Sequence, residues 1–197
     1  MSMMTVYDAV RARRSIRSFD PKPIKRESIE RMLDAARLAP TGVNRQPLRF
    51  IAVCAPTYCR EIFPQTKWAG LLPKPLGKPQ PGHEPTAYIL LLVDQSVAKE
   101  SPVDVGAAGM SIILQAQSEG IASCWLGAIN RPGIAQTLGI DLDEFKIDSI
   151  IALGYPDMTA KTVDMPQGSD DTAYFIGEDG EFTVPKRHRD TVCRIIG

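Results

Sequence analysis

Four arginines and two serines lie within nine residues near the start of the chain, at residues 11–19, Arg-Ala-Arg-Arg-Ser-Ile-Arg-Ser-Phe. A guanidinium group always carries charge and presents a planar fork that fits two phosphate oxygens, and a serine hydroxyl adds a further donor. The stretch is therefore a candidate anion site. The alternative is a solvated helix end, because arginines suit the negative end of a helix dipole, and spacing alone favours this alternative.

Two further stretches have the composition of ligand-contacting loops. Residues 40–47, Pro-Thr-Gly-Val-Asn-Arg-Gln-Pro, combine a helix stop, a glycine and two amide side chains, so they could turn sharply and present hydrogen-bonding groups. Residues 64–86 hold six of the 16 prolines, and Trp68 gives the segment an apolar anchor. A long irregular segment of this kind is typical of a lid over a binding site. An ordinary turn and a mobile surface loop are the respective alternatives.

Composition and charge exclude several classes of protein. Lys plus Arg equals Asp plus Glu at 23 each, which argues against a nucleic-acid binder. The apolar runs fall short of the roughly 20 residues that span a bilayer, and the N-terminus has no apolar stretch of the signal-peptide type. The four cysteines, Cys54, Cys59, Cys124 and Cys193, form no C-x-x-C pair. They predict reduced, buried thiols and a cytoplasmic protein.

The chain also lacks the motifs of the commonest enzyme sites. Its two histidines, His83 and His188, have no cysteine or acid at metal-ligand spacing, so we expect no metal site. It has no G-x-S-x-G, no phosphate-cradling P-loop and no G-x-G-x-x-G after a strand. An enzyme with so few acid–base groups needs a cofactor for its chemistry, and the arginines favour one that carries a phosphate.

Hydrophobic periodicity predicts the elements that position these stretches. It predicts helices over residues 3–13, 25–39, 58–63, 101–119 and 131–138. It predicts strands over residues 50–53, 88–93, 121–127 and 150–153, the last within the stretch 145–153. The fourth helix has no charge between Asp104 and Glu119, so we expect a central helix or a subunit interface. Residues 157–172 are polar and predict an irregular segment, followed by a weak strand at 174–176 and a short closing helix.

Several of these motifs, in this order, resemble the nitroreductase family of FMN-dependent NAD(P)H oxidoreductases. The resemblance rests on Arg13-Arg14-Ser15-Ile16-Arg17, Ala39-Pro40-Thr41-Gly42-Val43-Asn44-Arg45-Gln46-Pro47, Asp104 with Gly106-Ala107-Ala108, Gly120-Ile121-Ala122-Ser123-Cys124-Trp125-Leu126-Gly127, Ala152-Leu153-Gly154-Tyr155-Pro156 and Lys186-Arg187. It implies one α+β domain over residues 1–197, with a mixed, mostly antiparallel sheet flanked by helices. It further implies an intertwined homodimer with FMN at the interface, and a C-terminal extension, residues 173–197, that reaches the partner subunit.

The resemblance also assigns residues to the cofactor. The phosphate and ribityl chain would be held by Arg13, Arg14, Ser15, Arg17, Lys186 and Arg187. The flavin ring would be lined by Pro40, Thr41, Gly42, Asn44 and Gln46, from the other subunit, and by Leu126 and Gly127 near N5. Thr41 stands where the family usually has serine, and Arg189 could replace either basic residue of the tail. Trp68 would shape the substrate pocket.

The implied reaction has two steps at one flavin. Hydride passes from NADH or NADPH to flavin N5, and an electron-poor acceptor, a nitroaromatic or a quinone, is then reduced in the same place. Flavin N5 is the reactive centre, so no side chain needs to be a catalytic nucleophile. A positive group from Lys67, Lys74 or Lys78 would stabilise the reduced ring. The alternatives are a flavin-binding or flavin-modifying protein of the same fold, and an anion-binding or nucleic-acid-binding module, which the neutral net charge disfavours.

Overall fold

An antiparallel five-stranded sheet forms the centre of the molecule, which is described for residues 4–72 and 77–197 by a computed structural model. Its strands are β1 (Phe19–Asp20), β2 (Leu48–Val53), β3 (Ala87–Asp94), β4 (Ala122–Leu126) and β5 (Phe145–Pro156). They follow the order β1-β5-β3-β2, and β4 also pairs with β5. Every residue of β3 from Ala87 to Val93 is buried, because helices cover both faces of the sheet.

The two faces carry separate apolar layers. Helices α2 (Arg26–Arg37) and α4 (Pro102–Ser118) cover one face, and α3 (Pro56–Ile62) and α5 (Arg131–Leu138) cover the other. In the first layer Gly109 of α4 lies against the Trp125 ring, which a Cβ at position 109 would overlap. The Trp125 indole donates a hydrogen bond to Ser149 Oγ, at 2.8 Å, and so remains satisfied inside the layer.

The helices α1 (Val6–Ala12) and α4 leave apolar side chains uncovered. Val6 and Val10 are exposed, and only Ala9 of α1 is buried. Val103 of α4 is 82% exposed and Met110 is also exposed, so α4 is not buried all round within one chain. Of the two interpretations of this helix, the subunit interface accounts better for the uncovered side chains.

The cysteines are buried only in part, contrary to the sequence prediction. Cys59 and Cys124 are buried, whereas Cys54, which follows β2, and Cys193, near the C-terminus, are exposed. Burial raises the pKa of the Cys59 and Cys124 thiols to about 11. These two thiols stay protonated at neutral pH and pack as small apolar groups.

The C-terminal part forms a second, three-stranded sheet within the chain. Its strands β6 (Ala160–Asp164), β7 (Phe175–Ile176) and β8 (Phe182–Lys186) are followed by α6 (Arg189–Val192). β6 pairs with β8 in parallel and β7 pairs with β8 antiparallel. The prediction of an irregular segment over residues 157–172 is therefore wrong for β6, a short strand that contains the charged residues Lys161 and Asp164. Contact of residues 173–197 with a partner subunit remains a prediction.

An ion pair joins Arg31 of α2 to Glu119, the partly buried residue that follows α4. Arg31 Nη2 lies 2.6 Å from Glu119 Oε2, and Gln115 donates to Glu119 Oε1 at 2.7 Å. The hydrogen bond from Arg31, followed by those from Ser28 and Gln115, lowers the pKa of Glu119 to about 2. A carboxyl group whose folded-state pKa is depressed stabilises the fold above its unfolded pKa, and this stabilisation is lost as the pH falls towards 2.

We therefore expect Glu119→Gln to lower the free energy of unfolding by about 1–2 kcal/mol at pH 7. This range is smaller than the pKa shift alone would give, because solvent screens the half-exposed Arg31. Urea unfolding between pH 7 and pH 2.5 should show the difference from wild type shrinking below pH 4.5. Glu30→Gln, in an exposed pair with Arg26, is the matched control and should change the free energy of unfolding little at any pH. A loss of unfolding free energy in Glu119→Gln that is the same at every pH would contradict the low pKa assigned to Glu119.

Candidate functional site

The arginine stretch is an extended segment that follows α1. Thr5 and Asp8 form a capping box at the start of α1, and Arg13 ends the helix with its amide bonded to Ala9 O. The backbone then lies beside β4, where Ser15 pairs with Ser123 and Ile16 N donates to Ser123 O at 3.0 Å. The side chains from Arg13 to Arg17 are thus fixed by a strand-like contact, and only Arg13 belongs to the helix end.

Arg13 and Arg14 are adjacent positive charges that are both partly removed from solvent. Both side chains are half-buried. Desolvation, and then the charge of Arg13, lowers the pKa of the Arg14 guanidinium. None of the ion pairs found in residues 4–72 and 77–197 involves either arginine. A bound anion would relieve both the desolvation and the repulsion.

Arg17 has a different environment from its two neighbours. Its Nη1 donates to Ser15 O at 3.2 Å, and its guanidinium carbon lies 4.7 Å from the ring centroid of Phe182 and 5.4 Å from that of Tyr174. These distances are typical of cation–π contacts. The C-terminal sheet therefore covers one side of the arginine stretch.

The loop of residues 40–47 is tied to the start of α4 by one carboxylate. Asp104, which is 8% exposed, accepts hydrogen bonds from Gly42 N at 3.0 Å and from Ser101 Oγ at 2.6 Å. Thr41 Oγ1 accepts from Gln46 N at 3.1 Å. The hydrogen bond to Thr41 closes the loop on itself, and the hydrogen bond to Asp104 holds the loop against α4.

Three residues of this loop have left-handed backbone angles. Val43, Asn44 and Gln46 have φ values of 45°, 56° and 50°. Such conformations cost energy outside glycine and persist where the surroundings impose them, often at ligand-binding segments. Val43 is 87% exposed, so the loop presents its strained tip to the outside of the chain.

The loop and the arginine stretch are not brought together within one chain. Gly42 of the loop is hydrogen-bonded to Asp104, in the first turn of α4. The arginine stretch lies beside β4, and the segment that leads into β4 is held at the other end of α4, where Ile121 N donates to Ala116 O. These two anchor points on α4 lie about 18 Å apart along its axis. No hydrogen bond or ion pair between described residues joins the loop to residues 13–17.

The end of β4 is joined to the segment that carries Trp68. Leu126 is buried and Gly127 is exposed, so the strand emerges at the surface between them. Lys67 N donates to Ala128 O at 2.9 Å, and Asn130 N donates to Gln65 O at 2.8 Å. Leu126 and Gly127 therefore lie beside the first part of the predicted lid, residues 64–72.

Trp68 lies at the wall of a cavity of about 720 Å³, a size that suits a small organic molecule. Its indole nitrogen donates to Thr66 Oγ1 at 2.8 Å. Lys67 also lines this cavity, and Lys78 Nζ lies 4.5 Å from the centroid of Phe63. Lys74, the third lysine considered as a positive group, lies outside the described residues.

The basic residues of the tail lie at the end of β8. Lys186 is exposed, and its carbonyl accepts from Met165 N at 2.8 Å. Arg187 is paired with Asp170 at 2.6 Å, and both side chains are solvent-accessible, so the pair is weak. Arg189 lies in α6. The part of these residues in an anion site remains a prediction.

Two positioning residues were not assigned to the site from the sequence. Asp104 is part of a motif that carries the family resemblance, but its bond to Gly42 spans 62 positions and has no local signal. Arg131 donates from Nη2 to Gly127 O at 3.1 Å and from Nε to Ile147 O at 2.7 Å, and so fixes the exit of β4. Nothing in the pattern around Arg131 indicates this role.

Comparison with known proteins identifies the family. The sequence model of the nitroreductase family matches residues 10–155, which is most of the chain. A candidate NADH dehydrogenase/NAD(P)H nitroreductase from Archaeoglobus fulgidus is 32% identical over 153 residues, 73% of this chain and 81% of that protein. A protein of the same description from Methanothermobacter thermautotrophicus is 30% identical over 172 residues, 84% of each. This chain belongs to the nitroreductase family.

Solved structures show the same fold. A candidate nitroreductase from Desulfovibrio desulfuricans, in complex with FMN, is similar with a TM-score of 0.66 and 25% identity, covering 82% of this chain and 92% of that one. A nitroreductase with bound FMN from Bacteroides fragilis has a TM-score of 0.65 at 23% identity, over 84% and 97% of the two chains. Both confirm the nitroreductase-like α+β fold. No helix in the described ranges is long and apolar enough to span a bilayer.

Replacing Asp104 tests the anchor of the loop. Asp104→Ala should leave the donors of Gly42 and Ser101 without their acceptor, at a cost of about 1–3 kcal/mol in the free energy of unfolding, and should speed amide hydrogen exchange at Gly42. The exposed Asp143→Ala is the matched control, with an expected change within about 0.5 kcal/mol. Wild-type exchange at Gly42 in Asp104→Ala would contradict this role of Asp104.

Proposed function

We propose that this protein is an FMN-dependent NAD(P)H oxidoreductase that reduces an electron-poor acceptor, a nitroaromatic or a quinone, in two separate steps. The observation that carries the proposal is the pair of half-buried guanidiniums, Arg13 and Arg14, which no acidic side chain of the described residues neutralises. Membership of the nitroreductase family and the FMN complex of the Desulfovibrio relative support a flavin phosphate as the missing anion.

The residues present fit this cofactor at the phosphate end. Arg13 and Arg14 supply charge, and Ser15, held by its pairing with Ser123, supplies a hydroxyl donor at a fixed place. Guanidinium forks bind phosphate oxygens in pairs, and the partial burial of these groups strengthens the attraction. Further positive potential would come from Arg17, which lies against the C-terminal sheet, and from Lys186 and Arg187 at the end of β8.

Bound FMN would supply the redox chemistry, hydride transfer through N5 between NADH or NADPH and the electron-poor acceptor. The chain's own residues would bind and orient the cofactor and the acceptor. The backbone of Leu126 and Gly127, fixed by Arg131, would lie near N5, and Trp68 would form a wall of the acceptor pocket. None of these residues needs to act as a nucleophile.

The proposed working unit is a homodimer. Residues 40–46 are held at the far end of α4 from the arginine stretch, so Pro40, Thr41, Gly42, Asn44 and Gln46 would line the ring bound to the partner subunit. The exposed apolar side chains of α1 and α4, among them Val6 and Val103, offer the surface that a second copy would cover.

An anaerobic titration tests the proposed activity. We expect the purified, FMN-loaded protein to be yellow, to lose its flavin absorption when NADH or NADPH is added without oxygen, and to regain it when a nitroaromatic or quinone follows. Free FMN at the same concentration, with the same donors, is the control and should bleach far more slowly. Flavin that stays oxidised with both donors would overturn the proposed reaction.

A further inference from the structure

One side chain of the C-terminal segment contacts three separate parts of the molecule. The Tyr174 ring packs on Phe182 of β8, with centroids 5.2 Å apart. Its face lies 5.4 Å from the guanidinium carbon of Arg17. Its hydroxyl accepts a hydrogen bond from Leu71 N at 3.2 Å. Tyr174 therefore joins the C-terminal sheet, the arginine stretch and the segment after Trp68.

The ring contacts limit where the Arg17 guanidinium can lie. Arg17 has a long, flexible side chain, and the two aromatic rings with Ser15 O fix it on three sides. Phe182 is buried and cannot shift to replace the Tyr174 ring. Loss of the Tyr174 ring would leave one face of the guanidinium open to solvent and free the side chain to leave the anion site.

The hydroxyl contact acts on the other end of the site. Leu71 lies in a turn in which Leu72 N donates to Ala69 O at 2.9 Å and Ala69 has a φ of 31°. This turn directly follows Trp68, and Ala69 and Leu72 line the 720 Å³ cavity. The strained turn at residues 69–72 thus donates a hydrogen bond, from Leu71 N, to an acceptor outside the segment, the Tyr174 hydroxyl.

We infer that Tyr174 is a positioning residue for both ends of the site, with its ring holding Arg17 at the anion end and its hydroxyl holding the turn at residues 69–72 at the acceptor end. This inference rests on the proposed function, since it assigns the two ends their ligands. Tyr174 acts through Arg17 and Leu71. Because Tyr174 directly precedes β7 and packs on β8, the position of the cavity wall depends on the folding of these two strands.

Two substitutions separate the ring from the hydroxyl. Tyr174→Phe keeps the ring, so we expect the dissociation constant of FMN to stay within twofold of wild type. It removes the acceptor for Leu71 N, so the amide exchange of residues 69–72 should become at least threefold faster and the acceptor KM should rise at least threefold, with kcat little changed. Tyr58→Phe, the same change at an exposed tyrosine of α3, is the matched control and should leave all these quantities at wild-type values.

Tyr174→Ala removes both contacts. We expect the dissociation constant of FMN to rise at least fivefold while far-UV circular dichroism shows an intact fold. The inference is overturned if Tyr174→Phe exchanges and turns over like wild type, or if Tyr174→Ala binds FMN as tightly as wild type. These results differ from a failure of the proposed function, in which the wild-type protein itself neither binds FMN nor oxidises NAD(P)H.

Discussion

Two adjacent positive charges, held at partial burial without an acidic neighbour among the described residues, are the constraint on which the rest of the site depends. Charged groups removed from water need a partner, and Arg13 and Arg14 also repel each other. The fold maintains this arrangement by ending α1 at Arg13 and pairing Ser15 with β4. We therefore propose that these charges bind an anion from outside the chain, and membership of the nitroreductase family supports the phosphate of FMN as that anion.

The remaining parts of the site are placed by contacts between distant segments. Asp104 holds the strained loop at the first turn of α4, Arg131 holds the exit of β4, and Tyr174 links the arginine stretch to the turn after Trp68. Each contact fixes backbone, and a ligand that meets fixed groups loses less of its binding energy to ordering. The loop and the arginines face different ends of α4, which is why the proposed cofactor site needs two subunits.

Much of the fold follows from the sequence, because its main elements carry strong local patterns. The continuous apolar run of β3 and the stripe of α2 predict their elements to within two or three residues, and Gly120 correctly ends α4. β6 escaped prediction because it is short and its partner β8, which contains Pro185, lies about 20 residues further along the chain. The left-handed angles of Val43 and Gln46 have no sequence signal, whereas asparagine, the residue type at position 44, adopts that region more readily. Family resemblance supplied the site residues, while the long-range bonds of Asp104 and Tyr174 appear only in three dimensions.

The contribution of the phosphate to cofactor binding tests the central claim most directly. Titration of the apoprotein with FMN and with riboflavin, which lacks the phosphate, compares the two affinities at one ionic strength. Charge-assisted hydrogen bonds of about 1.5–3 kcal/mol each predict that wild type binds FMN at least about 100-fold more tightly, and that Arg14→Ala loses at least about tenfold of this preference. Arg37, an exposed arginine of α2 paired with Asp34, is the control position, and Arg37→Ala should keep the wild-type preference for FMN over riboflavin. Equal binding of FMN and riboflavin by wild type would contradict the account.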